Sequence, residues 1–166
     1  VLAEEAGWVH NAYQIGLAKS GLDTGHISPC WENMFRGGLS GLVAQARAQR
    51  EAAGDDAAPE QLAFWEAVHI VYTAAITLSR RFAALAHQLA TRYPEHRARL
   101  LAIAAACDQV PERAPRTFHE ALQFAWLMHE LIEMEGEMVR SAGHFDRLFY
   151  PYYAADIAAG RLTREQ

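Results

Sequence analysis

The chain has 166 residues, of which 51% are hydrophobic and 21% charged, and its formal net charge is −5 at pH 7. This length and apolar content exclude a disordered chain and are sufficient for one domain with a hydrophobic core. The net negative charge and the scattered arginines exclude a basic surface for nucleic acid. Since the sequence has neither a run of eighteen apolar residues nor a signal peptide, we expect no membrane partner and a cytoplasmic location.

The hydrophobic pattern predicts a mainly α-helical chain with few strands. The predicted helices, in chain order, cover residues 4–19, 30–53, 60–92 and 94–107, then a central helix that starts at Thr117 and includes Glu135, and, in part, 145–159. Residues 22–29 are predicted to form a loop, in which Ser28 caps the next helix and Pro29 occupies its first position. Residues 54–59 are predicted to be a linker, and Gly160 a helix C-cap.

Three glycines, Gly37, Gly38 and Gly41, lie within the predicted helix 30–53. Each weakens a helix by roughly 1 kcal/mol relative to alanine. Glycines in a helix that nevertheless persists usually indicate that another backbone approaches closely, and we expect such an approach here.

The helix that follows Pro115 is predicted to be the centre of the fold. Thr117 and Glu120 have the spacing of a capping box, in which each side chain accepts a hydrogen bond from a backbone N–H of the first turn. Apolar residues cover most of the helix circumference, so we expect it to be buried on nearly all sides. They are Ala121, Leu122, Phe124, Ala125, Trp126, Leu127, Met128, Leu131, Ile132 and Met134.

The polar residues of this helix form one narrow stripe, which consists of His119, Gln123, Glu130 and Glu133. Glu135 lies on the opposite, apolar side at 100° per residue. A carboxylate in that position must be paired, neutral or functional. Arg140 follows shortly afterwards, and it could neutralise Glu135 or bind a substrate carboxylate or sulfonate.

Several other residues could bind a substrate or a metal, judged only from their neighbours in the sequence. His26 could donate a hydrogen bond to a substrate hydroxyl or bond its own backbone. Glu66 and His69 form a single Glu-x-x-His pair, whereas di-metal bundles need two, so we predict no metal site. Cys30 and Cys107 match no zinc or redox spacing, and we interpret both as structural.

Three groups of motifs resemble the pyruvate formate-lyase domain of glycyl radical enzymes, in the branch that contains glycerol dehydratase and choline trimethylamine-lyase. The first is GHISP at 25–29 with GLSGL at 38–42. The second is VP at 110–111 with PRTFHEALQ at 115–123. The third is GHFD at 143–146 with YPYY at 150–153, DI at 156–157 and GRLT at 160–163. The likeness spans essentially the whole chain in the same order.

The resemblance implies that residues 1–166 are part of a pyruvate formate-lyase domain, truncated at both ends, and the helical portion of a ten-stranded α/β barrel. In that family a glycyl radical generates a cysteine thiyl radical, which abstracts hydrogen from the substrate. A separate iron–sulfur activase installs the glycyl radical with S-adenosylmethionine. The Gly-Cys-x-Glu loop and the radical glycine are absent from these residues, so we expect no catalytic residue here and no activity of this piece alone. The implied partners are a small substrate, the activase, the rest of the parent chain and a second copy in a homodimer.

The resemblance also implies which residues contact the substrate. His26 matches a histidine that bonds a substrate hydroxyl in the glycerol dehydratase branch. The turn after Glu135 carries a His-Ser pair in that branch, whereas here it is one residue shorter, and 143–144 read Gly-His where Gly-Arg is usual. These departures argue against glycerol, and our hypothesis is an anionic or less polar substrate. The implied substrate-binding residues are His26, Met138, Val139 and Arg140, and the implied supporting residues are Glu135 and Ser141.

Two alternatives from other functional classes remain open at this point. The chain could be a helical interaction module without chemistry, descended from such an enzyme. It could also be a di-metal helical bundle, although the sequence has only one Glu-x-x-His pair.

Overall fold

The computed structural model describes residues 23–134 and 137–165, and for residues 23–27, 55 and 137–140 it describes the backbone only. The predicted helix 4–19, Glu135 and Gln166 lie outside the described residues.

The described chain is mainly α-helical, as the sequence predicts. Its elements, in order, are β1 (Asp23–Ile27), α1 (Trp31–Ala53), α2 (Pro59–Arg92), α3 (Arg97–Gln109), α4 (Phe118–Met134), β2 (Glu137–Arg140) and α5 (Phe145–Ala158). Short 3-10 turns at Gly54–Asp56 and Pro94–His96 follow α1 and precede α3. The second turn explains why α3 begins three residues later than predicted.

The two strands correct the sequence prediction. Residues 22–29 were expected to be a loop and the segment after Glu135 a turn, but β1 and β2 pair with each other in parallel. The strands have five and four residues, which is too short for a period-two pattern to be recognised. Their strand conformation depends on a partner far away in sequence, which local propensity does not report.

The start of α1 also differs from the prediction. The helix begins at Trp31, and the side chain at its N-cap, Cys30, makes no capping hydrogen bond. Pro29 lies before the helix, where its carbonyl oxygen accepts a hydrogen bond from the Trp31 backbone N–H at 2.8 Å. The prediction that Ser28 caps this helix and that Pro29 opens it is therefore wrong, since a tight turn separates Ser28 from the first helical residue.

A kink in α1 is built around Gly38, whose φ of 68° and ψ of −178° are not helical. Beyond the kink, the backbone N–H of Leu39 donates to the Pro111 carbonyl at 2.8 Å, and that of Ser40 to the Glu112 carbonyl at 3.1 Å. A Cβ atom on Gly38 would overlap the Glu112 carbonyl oxygen. The expected backbone approach is thus confirmed at Gly38.

The other two glycines of α1 do not share this role. Gly37 and Gly41 have no atom within 4 Å of the place of a Cβ. The prediction of a close approach is wrong for both, because their outer sides face open space.

The capping box of α4 forms in part. The Thr117 hydroxyl accepts a hydrogen bond from the Glu120 backbone N–H at 3.1 Å, as predicted. The Glu120 carboxylate accepts instead from the backbone N–H of Arg116 at 2.7 Å and pairs with its guanidinium at 2.7 Å. The hydrogen bond between the two side chains, together with the negative charge of Glu120, raises the pKa of the Arg116 guanidinium.

The main core lies where α1, α2, α4 and α5 meet the segment after α3. Its buried members are Trp31, Met34, Phe35, Leu39, Ala75, Ile76, Val110, Ala121, Phe124, Ala125, Met128 and Phe149. Phe124 is fully buried at its centre, and its ring centroid lies 5.1 Å from that of Phe35. A smaller cluster of Ala83, Cys107 and Leu127 joins α2, α3 and α4.

The opposite side of α4 is open, which corrects the expectation of a helix buried on nearly all sides. Trp126 is 63% exposed and borders a cavity of about 420 Å³ with Phe82 and Leu85 of α2.

In α2 an 18-residue window has a mean hydropathy of 1.3, with 17% of it buried. By length and composition α2 meets the criterion for a membrane-spanning helix, a criterion that core helices of soluble proteins also meet.

Asp156 joins the end of α5 to the start of α4. Its side chain is 4% exposed and accepts hydrogen bonds from the Phe118 backbone N–H at 2.9 Å and from Arg161 Nε at 2.8 Å. The backbone N–H groups of Gly160 and Arg161 donate to the carbonyls of Ile157 and Asp156, which is a Schellman arrangement. Gly160 has φ 67°, so its predicted role as a C-cap is confirmed.

Candidate functional site

The strand pair brings together two segments that the sequence nominated separately. In the register of β1 and β2, Asp23 lies opposite Glu137, His26 opposite Val139, and Ile27 opposite Arg140. The register is irregular between Asp23 and His26. The backbones of the predicted substrate-binding residues are therefore neighbours.

Both strands end at the same side of the pair. Ile27 and Arg140 are the last residues of β1 and β2, and in a parallel pair the carboxyl ends coincide. Ligands of parallel sheets bind preferentially outside the carboxyl ends of the strands. The arrangement thus places the backbones of His26, Val139 and Arg140 at or next to the carboxyl ends of the two strands.

The chain segments that leave the two strands contact each other through Trp31, the first residue of α1. Its indole Nε1–H donates to the Ser141 carbonyl at 3.2 Å, and Trp31 is 3% exposed. The Ser141 hydroxyl accepts a hydrogen bond from the Gly143 backbone N–H at 2.9 Å. The sequence analysis missed this contact, because no local signal connects Trp31 to a residue so far along the chain.

The other predicted site residues are distributed as follows. Met138 lies in β2 beside Val139, within the same strand pair. Ser141 is exposed immediately after β2. Glu135 lies outside the described residues, so its suggested pairing with Arg140 stays a prediction.

The two cysteines are both free and lie outside the strand pair. Cys30 is exposed just before α1, whereas Cys107 is buried in α3. Burial raises the pKa of the Cys107 thiol, partly opposed by a hydrogen bond with Ser79. The burial of Cys107 agrees with its interpretation as a small core residue.

The Glu-x-x-His pair occupies an exposed surface between α1 and α2. The Glu66 carboxylate pairs with Arg50 at 3.1 Å, and half of each side chain is exposed. Within residues 23–134 and 137–165, no three His, Cys, Asp or Glu side chains lie close enough together to hold a metal ion.

Comparison with known proteins identifies the family of the chain. The pyruvate formate lyase-like family model matches residues 4–166. Isethionate sulfite-lyase of Nitratidesulfovibrio vulgaris is 34% identical over 143 residues, which cover 81% of this chain and 17% of that protein. The chain thus spans about a sixth of the length of the curated relatives it matches.

Two solved structures share the fold. A glycyl radical enzyme from Archaeoglobus fulgidus superposes with a TM-score of 0.78 and 33% identity over 84% of this chain and 19% of that one. The glycerol-bound B12-independent glycerol dehydratase from Clostridium butyricum gives a TM-score of 0.72 and 31% identity over 80% of this chain and 18% of that one. The mainly helical elements described above correspond to the helical part of these enzymes. The chain belongs to the pyruvate formate lyase-like family, which includes the glycyl radical enzymes.

Proposed function

We propose that this chain is the helical part of a glycyl radical lyase or dehydratase and forms one wall of its substrate pocket. The observation that carries the proposal is the β1–β2 register, in which His26 lies opposite Val139 and Ile27 opposite Arg140. Residues that the family resemblance nominated from two distant motifs thereby come to one edge of one strand pair.

In this proposal the chain binds and orients the substrate and contributes no radical. Thiyl-radical hydrogen abstraction would be supplied by a cysteine and a glycine outside these 166 residues, after activation by a separate S-adenosylmethionine iron–sulfur enzyme. Cys30 and Cys107 do not fit the catalytic role, because one is exposed outside the strand pair and the other is buried in α3. What remains for this chain is His26 as a hydrogen-bonding group and the residues of β2 as selectors of the substrate.

We propose a small anionic substrate. Arg140 is the last residue of β2, and a guanidinium binds carboxylate or sulfonate groups with two parallel hydrogen bonds. The names of the relatives include both possibilities, since isethionate is an anion and glycerol is neutral. Where the glycerol branch has a His-Ser pair, this chain has Met138, Val139 and Arg140. This difference favours an anionic substrate.

The test uses the full-length protein that contains this chain, activated under anaerobic conditions. Initial rates are compared for isethionate and for glycerol, together with the variants Arg140→Gln and, as a control, Arg81→Gln on the exposed side of α2. We expect Arg140→Gln to raise KM for the anion about ten- to hundredfold, the usual loss for a charge-assisted hydrogen bond, and Arg81→Gln to change nothing. Turnover of glycerol as fast as of any anion would contradict the proposed substrate class.

A helical interaction module without chemistry is the second candidate. It is favoured by the exposed apolar side chains of Phe82, Leu85 and Trp126, which suit a protein partner as well as a missing part of the same enzyme. The reading frame distinguishes the two. Continuation through a Gly-Cys-x-Glu loop to a radical glycine supports the enzyme, whereas a stop codon after Gln166 supports the module.

The assembly is proposed from the resemblance as well. We infer a cytoplasmic homodimer of the full-length enzyme that associates transiently with its activase. Light scattering of the full-length protein tests the dimer, and a monomer at micromolar concentration would contradict it.

A further inference from the structure

We propose that Trp31 is a positioning residue, which holds the carboxyl end of β2, and with it Arg140, in place beside β1. Its role for a substrate rests on the proposed function above. The contact itself rests on geometry, because the indole Nε1–H of Trp31 donates to the carbonyl of Ser141, the residue directly after Arg140.

The Trp31 ring is fixed on several sides. It is 3% exposed, and its centroid lies 6.1 Å from that of Phe35 and 5.3 Å from that of His129. The pyrrole edge that carries Nε1 faces Gly143, where a Cβ atom would lie 3.4 Å from Trp31 Cδ1. An anchored ring offers its N–H in one direction only, so it holds the Ser141 carbonyl in a defined place.

The strand pair needs such support. In the described part of the chain the sheet has two strands, of five and four residues, and a two-stranded sheet without further support is marginally stable in water. Its register is already irregular between Asp23 and His26. Trp31 starts the helix that follows β1, while Ser141 starts the segment that follows β2, so their hydrogen bond ties the ends of both strands together.

The chain contains a matched control for the test. Trp65 Nε1 donates to the Gln49 side chain at the same distance, 3.2 Å, but on the exposed contact between α1 and α2, away from the strands. Trp31→Phe and Trp65→Phe each keep an aromatic ring and remove one indole N–H. Only the first should loosen the strand pair.

The measurement is hydrogen exchange with mass spectrometry on the full-length protein. We expect exchange in the peptides that cover 137–143 to become about three- to tenfold faster in Trp31→Phe, as loss of one hydrogen bond predicts, and to stay unchanged in Trp65→Phe. Unchanged exchange at 137–143 in Trp31→Phe, or equal acceleration in every segment, would overturn the proposal.

Two further readouts keep the test decisive. With isethionate as the probe, Trp31→Phe should raise KM several-fold more than it lowers kcat, and an equal loss in both would overturn the role in substrate positioning.

If Trp31→Phe does not fold, indole exchange in the unmodified protein replaces it: the Trp31 N–H should exchange more slowly than that of the exposed Trp126, and equal rates would overturn the contact. Fast exchange at 137–143 in Trp31→Phe with no effect of Arg140→Gln on KM would count against the proposed function alone.

Discussion

His26 and Val139 are backbone partners across the parallel pair of β1 and β2. Each was a candidate by itself, one in a motif before the first described helix and the other in a segment after α4. Their pairing brings the backbones of two separate motifs next to each other, near the carboxyl ends of both strands. Single substitutions elsewhere in the chain test the contacts that hold the rest of the fold together.

Gly38 and Gly37 form the clearest test of the kink in α1. Gly38→Ala should lower the free energy of unfolding by about 3 kcal/mol, because φ is +68° and the new Cβ would overlap the Glu112 carbonyl and lie 2.6 Å from Arg113 Cα. Gly37→Ala should be neutral or stabilising by up to about 1 kcal/mol, since nothing lies within 4 Å. Denaturant unfolding measures both, and equal effects would contradict the assigned backbone approach.

Asp156 is expected to be the most sensitive carboxylate of α5. Asp156→Asn should cost about 1–3 kcal/mol, because the substitution removes the carboxylate that pairs with Arg161 and weakens the hydrogen bond from the Phe118 N–H. Asp146→Asn, on the exposed first turn of the same helix, should cost about 1 kcal/mol or less. Thermal unfolding of the two variants compares them, and a cost for Asp146→Asn as large as that for Asp156→Asn would argue against the buried link.

The two cysteines should differ in thiol reactivity. A maleimide should label Cys30 rapidly and Cys107 at least about tenfold more slowly, because Cys30 is exposed whereas burial raises the Cys107 pKa above 9.0. Cys30→Ser isolates the slow thiol. Labelling of Cys107 at the rate of Cys30 in the folded protein would show that α3 does not bury it.

The same thiol predicts a pH dependence of stability. Because folding raises the pKa of the Cys107 thiol, this group contributes stability that is fully present below its unfolded pKa, near 9.0. The contribution is lost as the pH rises through the folded pKa. Cys107→Ala should therefore weaken the loss of stability above pH 9. An unchanged loss in Cys107→Ala would assign it to other groups, such as Tyr72, whose pKa burial also raises.

The open side of α4 predicts association of the 166-residue chain when it is prepared alone. Trp126, Phe82 and Leu85 border an apolar cavity, and exposed apolar patches of this kind bind partners or promote aggregation. Trp126→Gln should reduce association while changing stability by less than about 1 kcal/mol, because the side chain is already exposed. Analytical ultracentrifugation gives the readout, and a monomeric wild-type chain would contradict the expectation.

Helices were predictable because their signal is local. The repeat of apolar residues in α2 and α4, the spacing of Thr117 and Glu120, and the C-cap at Gly160 all lie within a few residues of one another. The same locality explains the errors. The sequence cannot distinguish Gly38, which meets another backbone, from Gly37, which meets none, nor the buried Phe124 from the exposed Trp126.

By itself, the sequence determined the helical class, the family resemblance and the residue types available for binding, since helix periodicity and motifs are properties of neighbouring residues. Only the tertiary structure decided that residues 23–27 and 137–140 are strands, that His26 lies opposite Val139, and that Trp31 contacts Ser141. These features arise from hydrogen bonds between segments far apart in the chain. The strands are too short to be stable alone, so their conformation depends on the packing that brings them together.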